Sequence, residues 1–275
     1  MTVPLDRATV AAHTRWFGGV ASPGQRAVPE ETAIAFSYNR FAYAVMMASP
    51  ADLEDFAVGF SLAEGVAACR EDIEDIEIVP AENGIEVRMW LNETRIEAFT
   101  KRRRFLTGPS GCGLCGLESL TQAMRQPKAV TSDFRVAAVD LGGAMRALHG
   151  LQPLNAQTRA VHAAAFWQPG QGIMAVREDV GRHNALDKLT GALARVGTDA
   201  SRGAILLTSR VSVEMIQKAS VAGAPVVVAI SAPTALALRI AEQAGITVVA
   251  IARDDGFEVF TRSDRIIFEY PAHVA

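Results

Sequence analysis

The chain has 275 residues, of which 49% are hydrophobic and 21% are charged. This composition is typical of a globular protein and excludes a disordered one. The length favours one or two domains with enough core to fold without disulfides or metals. The formal net charge of −3 argues against bulk nucleic-acid binding, which needs a basic face. Three cysteines are too few for a secreted disulfide framework.

One segment has to be tested as a membrane span. Residues 219–238 carry no charge and are long enough to cross a bilayer. Pro225 and Pro233 would break a spanning helix, and the β-branched run between them predicts a buried parallel strand. The N-terminus also lacks the apolar region of a signal peptide. We therefore expect no membrane segment and a cytoplasmic location.

The N-terminal part of the chain predicts a small α+β domain over residues 29–106. Residues 1–28 show no clear periodicity and are predicted to be an irregular leader, although Trp16 is expected to pack inside the fold. A helix is predicted after residue 49, with Ser49 as its N-cap. Four strands are predicted around this helix, the last two as a hairpin: residues 31–39, 40–49, 74–80 and 84–90.

The C-terminal part alternates between short apolar strands and amphipathic helices, and predicts a domain over residues 118–275. A hairpin is predicted from residues 162–167 and 172–179, followed by a helix over residues 182–196. Strands are then predicted at 203–208, 226–230 and 246–251, each separated from the next by a helix. This order predicts an α/β layer fold around a mainly parallel sheet.

A glycine-rich segment, residues 107–117, separates these two parts and holds the most reactive residues of the chain. Cys112 and Cys115 form a C-x-x-C pair within SGCGLCG, directly after the basic run at residues 101–104. The basic run and the N-terminus of a helix predicted to follow would favour a thiolate. Such a loop suits a cysteine that carries reactive sulfur between two places.

Other interpretations of the cysteine pair stay open at this point. A structural zinc site needs four ligands, and only Cys69 and five scattered histidines remain. A deaminase-type zinc site needs an H-x-E motif, and no histidine of this sequence has a glutamate two residues after it. We therefore expect no resident metal. A thiol–disulfide oxidoreductase and a cofactor-binding chaperone without sulfur chemistry remain alternatives to sulfur transfer.

Several long motifs together resemble one family. They are SGCGLCG, EDVGRHNALDK at 178–188, SRVSVEMIQKAS at 209–220, SAPTALAL at 231–238 and an N-terminal signature at 38–65. In this order they resemble the FdhD family, the formate dehydrogenase accessory sulfurtransferases, from about residue 29 to 262. The chain departs from the family at Arg40 and Arg159, where the family usually has Asn-Gly and Thr-Gly-Gly sequences.

The resemblance implies a specific function. A cysteine desulfurase hands sulfur to Cys112 as a persulfide, and Cys115 accepts sulfur as well or helps to release it. The sulfur then passes to the molybdenum (or tungsten) bis(molybdopterin guanine dinucleotide) cofactor, bound as substrate, which the formate dehydrogenase catalytic subunit requires. The resemblance also implies a homodimer. Its C-terminal domain would be a three-layer mixed sheet resembling the cytidine-deaminase fold without the zinc site.

The cofactor is expected at the carboxyl ends of the parallel strands, where helix N-termini favour phosphates. The resemblance places it on the loop after the third strand. His183 belongs to a polar cluster at residues 179–188 that is either a ligand-facing patch or a structural network. Ser231 and Thr234 have an alternative interpretation as helix caps. The candidate cofactor-binding residues are His183, Ser209, Arg210, Ser231, Thr234, Ile251, Ala252, Arg253, Asp254, Asp255 and Gly256.

Overall fold

The computed structural model describes residues 6–97, 99 and 126–268. Its N-terminal strands are β1 (Ala8–Phe17), β2 (Val20–Pro29), β3 (Thr32–Tyr38), β4 (Phe41–Ala48), β5 (Ile73–Ala81) and β6 (Gly84–Leu91), with helix α1 (Leu53–Ala63) between β4 and β5. After residue 126 the first elements are β7 (Val136–Ala137), α2 (Ala138–His149), α3 (Pro153–Thr158), β8 (His162–Gln168) and β9 (Gly172–Asp179). The remaining elements are α4 (Arg182–Arg195), β10 (Ala204–Leu207), α5 (Val213–Ala222), β11 (Val226–Ala229), α6 (Ala235–Ala244), β12 (Thr247–Arg253), β13 (Gly256–Val259) and β14 (Ile266–Ile267).

Four strands form the N-terminal sheet, in the order β4-β3-β6-β5. Alternate residues of β3 and β6 are buried, and they pack against the apolar side of α1. The four predicted strands and the hairpin of β5 with β6 are confirmed. The predicted N-cap is wrong, because α1 begins at Leu53 after Asp52. The backbone N–H of Ser49 instead donates to the buried carboxylate of Asp179, at 3.0 Å.

The predicted irregular leader is also wrong, because β1 and β2 form a regular antiparallel hairpin. Gly18 and Gly19 form its turn with φ angles of 58° and 83°, as a two-residue type I′ turn requires. Trp16 lies beside this turn and is 74% exposed, so the expectation that it packs inside the fold is wrong. Two adjacent glycines between extended runs were the available signal for a hairpin.

Six strands form the C-terminal sheet, in the order β13-β12-β11-β10-β8-β9. The hairpin of β8 with β9 and the parallel run β10-β11-β12 are confirmed. Helices α4, α5 and α6 cover one face of the sheet, and α2 covers the other, which gives three layers. The third parallel strand is longer than expected, because β12 continues to Arg253 and turns directly into β13.

A close helix crossing joins the two sheets. Helix α1 packs on α4, and a Cβ atom added to Gly59 would lie 1.7 Å from the backbone oxygen of Asp187. A Cβ atom added to Gly191 would lie 1.9 Å from the backbone oxygen of Asp55. The two backbones therefore approach closely only because both positions lack a side chain. The domain boundary predicted at residues 107–117 lies outside the described residues, and the domain limits stay a prediction.

Within the described part of the chain, no helix is both long and apolar enough to cross a membrane.

Candidate functional site

One edge of the six-stranded sheet gathers most of the candidate residues. Because β10, β11 and β12 are parallel, their carboxyl ends meet there. Backbone hydrogen bonds join the three loops that follow: Val211 donates to Ala232 at 3.3 Å and Thr234 donates back to Val211 at 3.0 Å. Ile251 donates to Ser231 at 3.4 Å. We call residues 208–212, 231–234 and 251–256 the strand-end rim.

The polar side chains of the first two rim loops differ in their hydrogen bonds and in their exposure to solvent. The hydroxyl of Ser209 is buried and donates to the carbonyl of Arg210 at 3.1 Å. The hydroxyl of Thr234 accepts from the N–H of Ala237 at 3.2 Å, so Thr234 is the N-cap of α6. Ser231 is half-buried, whereas Arg210 is exposed. The helix-cap interpretation therefore holds for Thr234, and Arg210 is the exposed charge of these loops.

The third rim loop is a tight turn rather than an open loop. Its exposed tip carries Arg253, Asp254 and Asp255, followed by exposed Gly256, while Ala252 is buried. Ile251 has a φ angle of 54°, at a bulge where the register of β12 and β13 shifts. A β-branched residue rarely adopts this conformation. The turn therefore presents one guanidinium and two carboxylates on a strained backbone.

Two helix N-termini reach the same edge. Helix α4 begins with Arg182 and His183, and the Nε2 atom of His183 lies 2.6 Å from a carboxylate oxygen of Glu214 in the first turn of α5. The N-cap residue of α4 is Gly181, which has no side chain, and the hydroxyl of Ser212, the N-cap residue of α5, makes no capping hydrogen bond. The positive ends of two helix dipoles therefore lie near the rim, with Glu214 as a counter-charge.

Two histidines near this edge have lowered pKa values. Burial lowers the pKa of His162, at the start of β8, and the charge of Arg182 lowers it further. Burial also lowers the pKa of His183, although the charge of Glu214 opposes this effect. Both imidazoles are therefore mainly neutral at pH 7, and each can donate one hydrogen bond and accept another.

The motif at 178–188 divides into structural and rim residues. The carboxylate of Asp179 accepts from Ser49 N–H, Gly181 N–H, the Asn184 amide and the Lys188 ammonium, at 2.6–3.0 Å. Asp187 forms a second buried pair with Lys218 of α5, at 2.7 Å. These residues form a buried network of hydrogen bonds and ion pairs that joins α4 to the β4–α1 connection and to α5. Arg182 and His183 stay half-exposed at the rim.

Glu214, Arg182 and His162 are not among the candidate cofactor-binding residues named above, although Arg182 belongs to the polar cluster predicted at residues 179–188. Glu214 stands in the first turn of α5, and only the adjacency of α4 and α5 brings it to His183. His162 reaches the rim because β8 runs antiparallel to β10, so that its start lies beside the end of β10. The signal available in the sequence was therefore the order of strands, and not a local motif.

Cys112, Cys115 and the basic run at 101–104 lie outside the described residues. Among residues 6–97, 99 and 126–268, no three His, Cys, Asp or Glu side chains come close enough to hold a metal ion. Cys69 is the cysteine in that part of the chain, and it is exposed.

Comparison with known sequences covers almost the whole chain. The sequence model of the FdhD/NarQ family matches residues 29–267. The chain is 53% identical over 257 residues to the sulfur carrier protein FdhD of Agrobacterium fabrum, covering 93% of this chain and 95% of that protein. It is 46% identical over 272 residues to the protein of the same name from Xanthomonas euvesicatoria, covering 97% and 96%.

A solved structure has the same fold. It is a crystal structure described as a formate dehydrogenase accessory protein from Desulfotalea psychrophila, and it matches with a TM-score of 0.74. The match covers 95% of this chain and 100% of the other at 24% sequence identity, so it bears on the fold alone.

Proposed function

The chain belongs to the FdhD/NarQ family, and on that premise we propose that it carries sulfur for the maturation of formate dehydrogenase. The observation that carries this proposal is its 46–53% identity, over most of its length, to proteins named sulfur carrier protein FdhD. The SGCGLCG sequence supplies the thiols that such a carrier needs.

We propose that Cys112 holds the sulfur as a persulfide. Its thiolate attacks the outer sulfur of a cysteine desulfurase persulfide, and the desulfurase thiolate leaves. Cys115 then attacks the sulfur of Cys112, which forms a disulfide and releases hydrosulfide. The two cysteine sulfurs are oxidised as this disulfide forms, and they thereby supply the two electrons that reduce sulfane sulfur to sulfide. A dithiol reductant restores both thiols before the next cycle.

The substrate that receives this sulfide is, in our proposal, the molybdenum or tungsten bis(molybdopterin guanine dinucleotide) cofactor. The strand-end rim supports this placement, because the N-termini of α4, α5 and α6 reach it and would favour pyrophosphate. Arg210 and Arg253 are exposed there and can pair with phosphate. Asp254 and Asp255 can accept hydrogen bonds from a guanine edge.

The partners in this proposal are a cysteine desulfurase, the formate dehydrogenase catalytic subunit and a second copy of the chain, in the cytoplasm. We also propose that the C-terminal unit has the cytidine-deaminase architecture without its zinc site. The hairpin of β8 with β9 followed by three parallel strands supports this assignment.

Mass spectrometry tests the sulfur chemistry. After incubation with cysteine and a desulfurase, the peptide that holds Cys112 should gain one sulfur atom. A Cys112→Ala variant should gain nothing there and should fail to activate formate dehydrogenase, whereas Cys69→Ala should behave like the wild type. If Cys112→Ala activates the enzyme normally, the chain is a chaperone without sulfur chemistry. A cysteine pair that only exchanges disulfides with a thiol reductant would indicate an oxidoreductase.

Calorimetry tests the rim. GDP, as a fragment of the cofactor, should bind more tightly than ADP, and Arg253→Ala should weaken GDP binding about tenfold. Arg146→Ala on α2 removes an exposed cation from another face and should leave binding unchanged. Equal and weak binding of both nucleotides, unchanged by Arg253→Ala, would place the cofactor elsewhere.

A further inference from the structure

The hairpin of β1 with β2 forms an arm that projects from the rest of the fold. Every residue of β1 is at least partly exposed, and β2 is exposed over most of its length. The arm is held near its base, where the guanidinium of Arg26 donates to the carbonyl of Thr158 at 3.2 Å. A strand of 10 residues, at about 3.3 Å each, places the end of the arm roughly 30 Å from the start of β1.

The end of this arm is apolar on both of its faces. It carries Trp16, Phe17 and Val20, which are 74%, 73% and 65% exposed, and we call these three residues the arm tip. Phe17 pairs with Val20 across the hairpin, and Trp16 pairs with Ala21. Because neighbouring residues of a strand point to opposite faces, Phe17 and Val20 lie on one face and Trp16 lies on the other.

The arm is positively charged, although the chain as a whole has a net charge of −3. Residues 7–29 contain three arginines and no aspartate or glutamate. The guanidinium of Arg15 lies over the ring of Phe17, 5.1 Å from its centroid. Asp6 and Glu30 border the arm at its base, roughly 30 Å from the tip, and salt screens charges over about 8 Å. The tip can therefore approach an anionic surface without repulsion from these carboxylates.

Two features favour a lipid layer over a protein surface as the occupant of the arm tip. No flat surface can cover Trp16 and Phe17 together, because they point to opposite faces, whereas a lipid layer surrounds the tip. The three side chains also expose only roughly 300–450 Å². A specific protein interface needs roughly 800 Å² from each partner. Tryptophan is, in addition, enriched where a membrane meets water.

We propose that the arm tip inserts into the surface of a bilayer that contains anionic phospholipid. Trp16, Phe17 and Val20 enter the boundary between headgroups and acyl chains, roughly 5–10 Å deep, and Arg15 pairs with lipid phosphate behind them. This contact needs no membrane-spanning segment. We expect an association constant on the order of 10⁴ M⁻¹, as for a single fatty chain, so the contact is reversible. The inference goes beyond the proposed sulfur-carrier function and does not rest on it.

Co-sedimentation of the full chain with lipid vesicles tests the proposal. The wild type should bind vesicles of phosphatidylcholine with phosphatidylglycerol, and should bind phosphatidylcholine alone about fivefold more weakly, because one cation at an anionic surface contributes about that factor. The variant Trp16→Ser/Phe17→Ser should bind the anionic vesicles at least about tenfold more weakly. Arg15→Gln should bind both kinds of vesicle equally. Val10→Ser on the arm shaft and Val196→Ser at a distant exposed site should bind like the wild type.

Tryptophan fluorescence gives a second measurement, specific to the arm tip. Trp16 is exposed, whereas Trp90 is half-buried and Trp167 is buried. The emission should therefore shift to shorter wavelength when Trp16 leaves water for lipid. Trp16→Phe keeps an aromatic ring at the tip, so it should bind anionic vesicles nearly as well as the wild type and lose this shift.

Three results would overturn the proposal. One is a wild type that does not bind anionic vesicles at about 1 mM lipid, roughly ten times the expected dissociation constant. The others are a Trp16→Ser/Phe17→Ser variant that binds like the wild type, and an emission shift that persists in Trp16→Phe. Each would indicate a protein partner with a slot that covers both faces of the tip.

Circular dichroism checks the fold of each variant, and Trp16→Ser alone replaces the double variant if the latter unfolds. The Cys112 persulfide assay contains no lipid, so it tests the sulfur-carrier proposal separately.

Discussion

The ammonium of Lys188 lies 2.6 Å from a carboxylate oxygen of Asp179, and both side chains are fully buried. Lys188 also donates to the carbonyl of Ser49 at 2.8 Å, so one ion pair connects α4, the end of β9 and the segment before α1. Burial lowers the pKa of Lys188, and the charge of Asp179 opposes that shift. The pair therefore connects the two sheets. Removing either partner alone would leave an unpaired charge in the protein interior.

We predict that Lys188→Met lowers the free energy of unfolding by about 3–5 kcal/mol, because it leaves a buried carboxylate without its cation. The double variant Asp179→Asn/Lys188→Met should lose less than the sum of the two single variants. Chemical denaturation measures both quantities. Lys128→Met at an exposed position is the control, with a change within about 0.5 kcal/mol. A comparably small change in Lys188→Met would show that the pair is dispensable.

The same substitution, glycine to alanine, should change the free energy of unfolding in opposite directions at the crossing of α1 with α4 and in α2. Gly191→Ala places a methyl group against the backbone of α1, so the helices must separate and the free energy of unfolding should fall by about 1–3 kcal/mol. Gly143→Ala in α2 meets nothing within 4 Å and should raise it by about 0.5–1 kcal/mol. Thermal denaturation of both variants checks the contrast. Equal effects would mean that helix propensity alone decides both positions.

Arg40 occupies a backbone conformation that suits glycine. Asn39 and Arg40 form the turn between β3 and β4, with φ angles of 47° and 72°. We predict that Arg40→Gly raises the free energy of unfolding by about 0.5–1 kcal/mol, because a left-handed conformation costs a residue with a side chain. Glu82→Gly, in the β5–β6 turn at a position whose φ angle is not positive, should instead lower it by about 0.5 kcal/mol. Denaturation curves that rank the two variants the other way would contradict this account.

The contact of His183 with Glu214 predicts a measurable titration. His183 should titrate below its ordinary pKa of 6.5, because burial outweighs the nearby carboxylate. Glu214→Gln removes the charge that opposes this shift, so the pKa of His183 should fall further. Proton NMR of the imidazole signals measures the pKa of His183 in the wild type and in Glu214→Gln. His162 is an internal control, since its shift arises from burial and Arg182 and not from Glu214. A rise of the His183 pKa in Glu214→Gln would refute the contact.

Local sequence patterns predict the elements whose side chains repeat with a clear period. The apolar runs of β10, β11 and β12 and the amphipathic helices between them are of this kind. Ser49 shows where such reasoning ends: a favourable capping residue is held instead by Asp179, 130 positions away. Likewise, the turn at Asp254 and Asp255 depends on pairing with β13, which no local pattern encodes.

In the candidate site, too, some features follow from the order of strands in the sequence, whereas others depend on partners far away in the chain. Strand order was sufficient to bring Arg210, Ser231 and Arg253 to one edge, because parallel strands end together. The roles of Asp179 and Lys188 depended on partners far away in sequence, so sequence alone left two interpretations open. The contact between His183 and Glu214 depends on the packing of two helices and had no local signal.

The tight crossing at Gly59 and Gly191 has a consequence for synthesis on the ribosome. Helix α1 emerges about 130 residues before the helix that covers it, which corresponds to roughly 7–26 seconds of translation at 5–20 residues per second. Throughout that interval the nascent N-terminal sheet exposes the glycine face of α1 with no native partner to bury it. A chaperone that binds nascent chains would therefore find its substrate in this window, and slowing elongation between codons 60 and 190 would lengthen it.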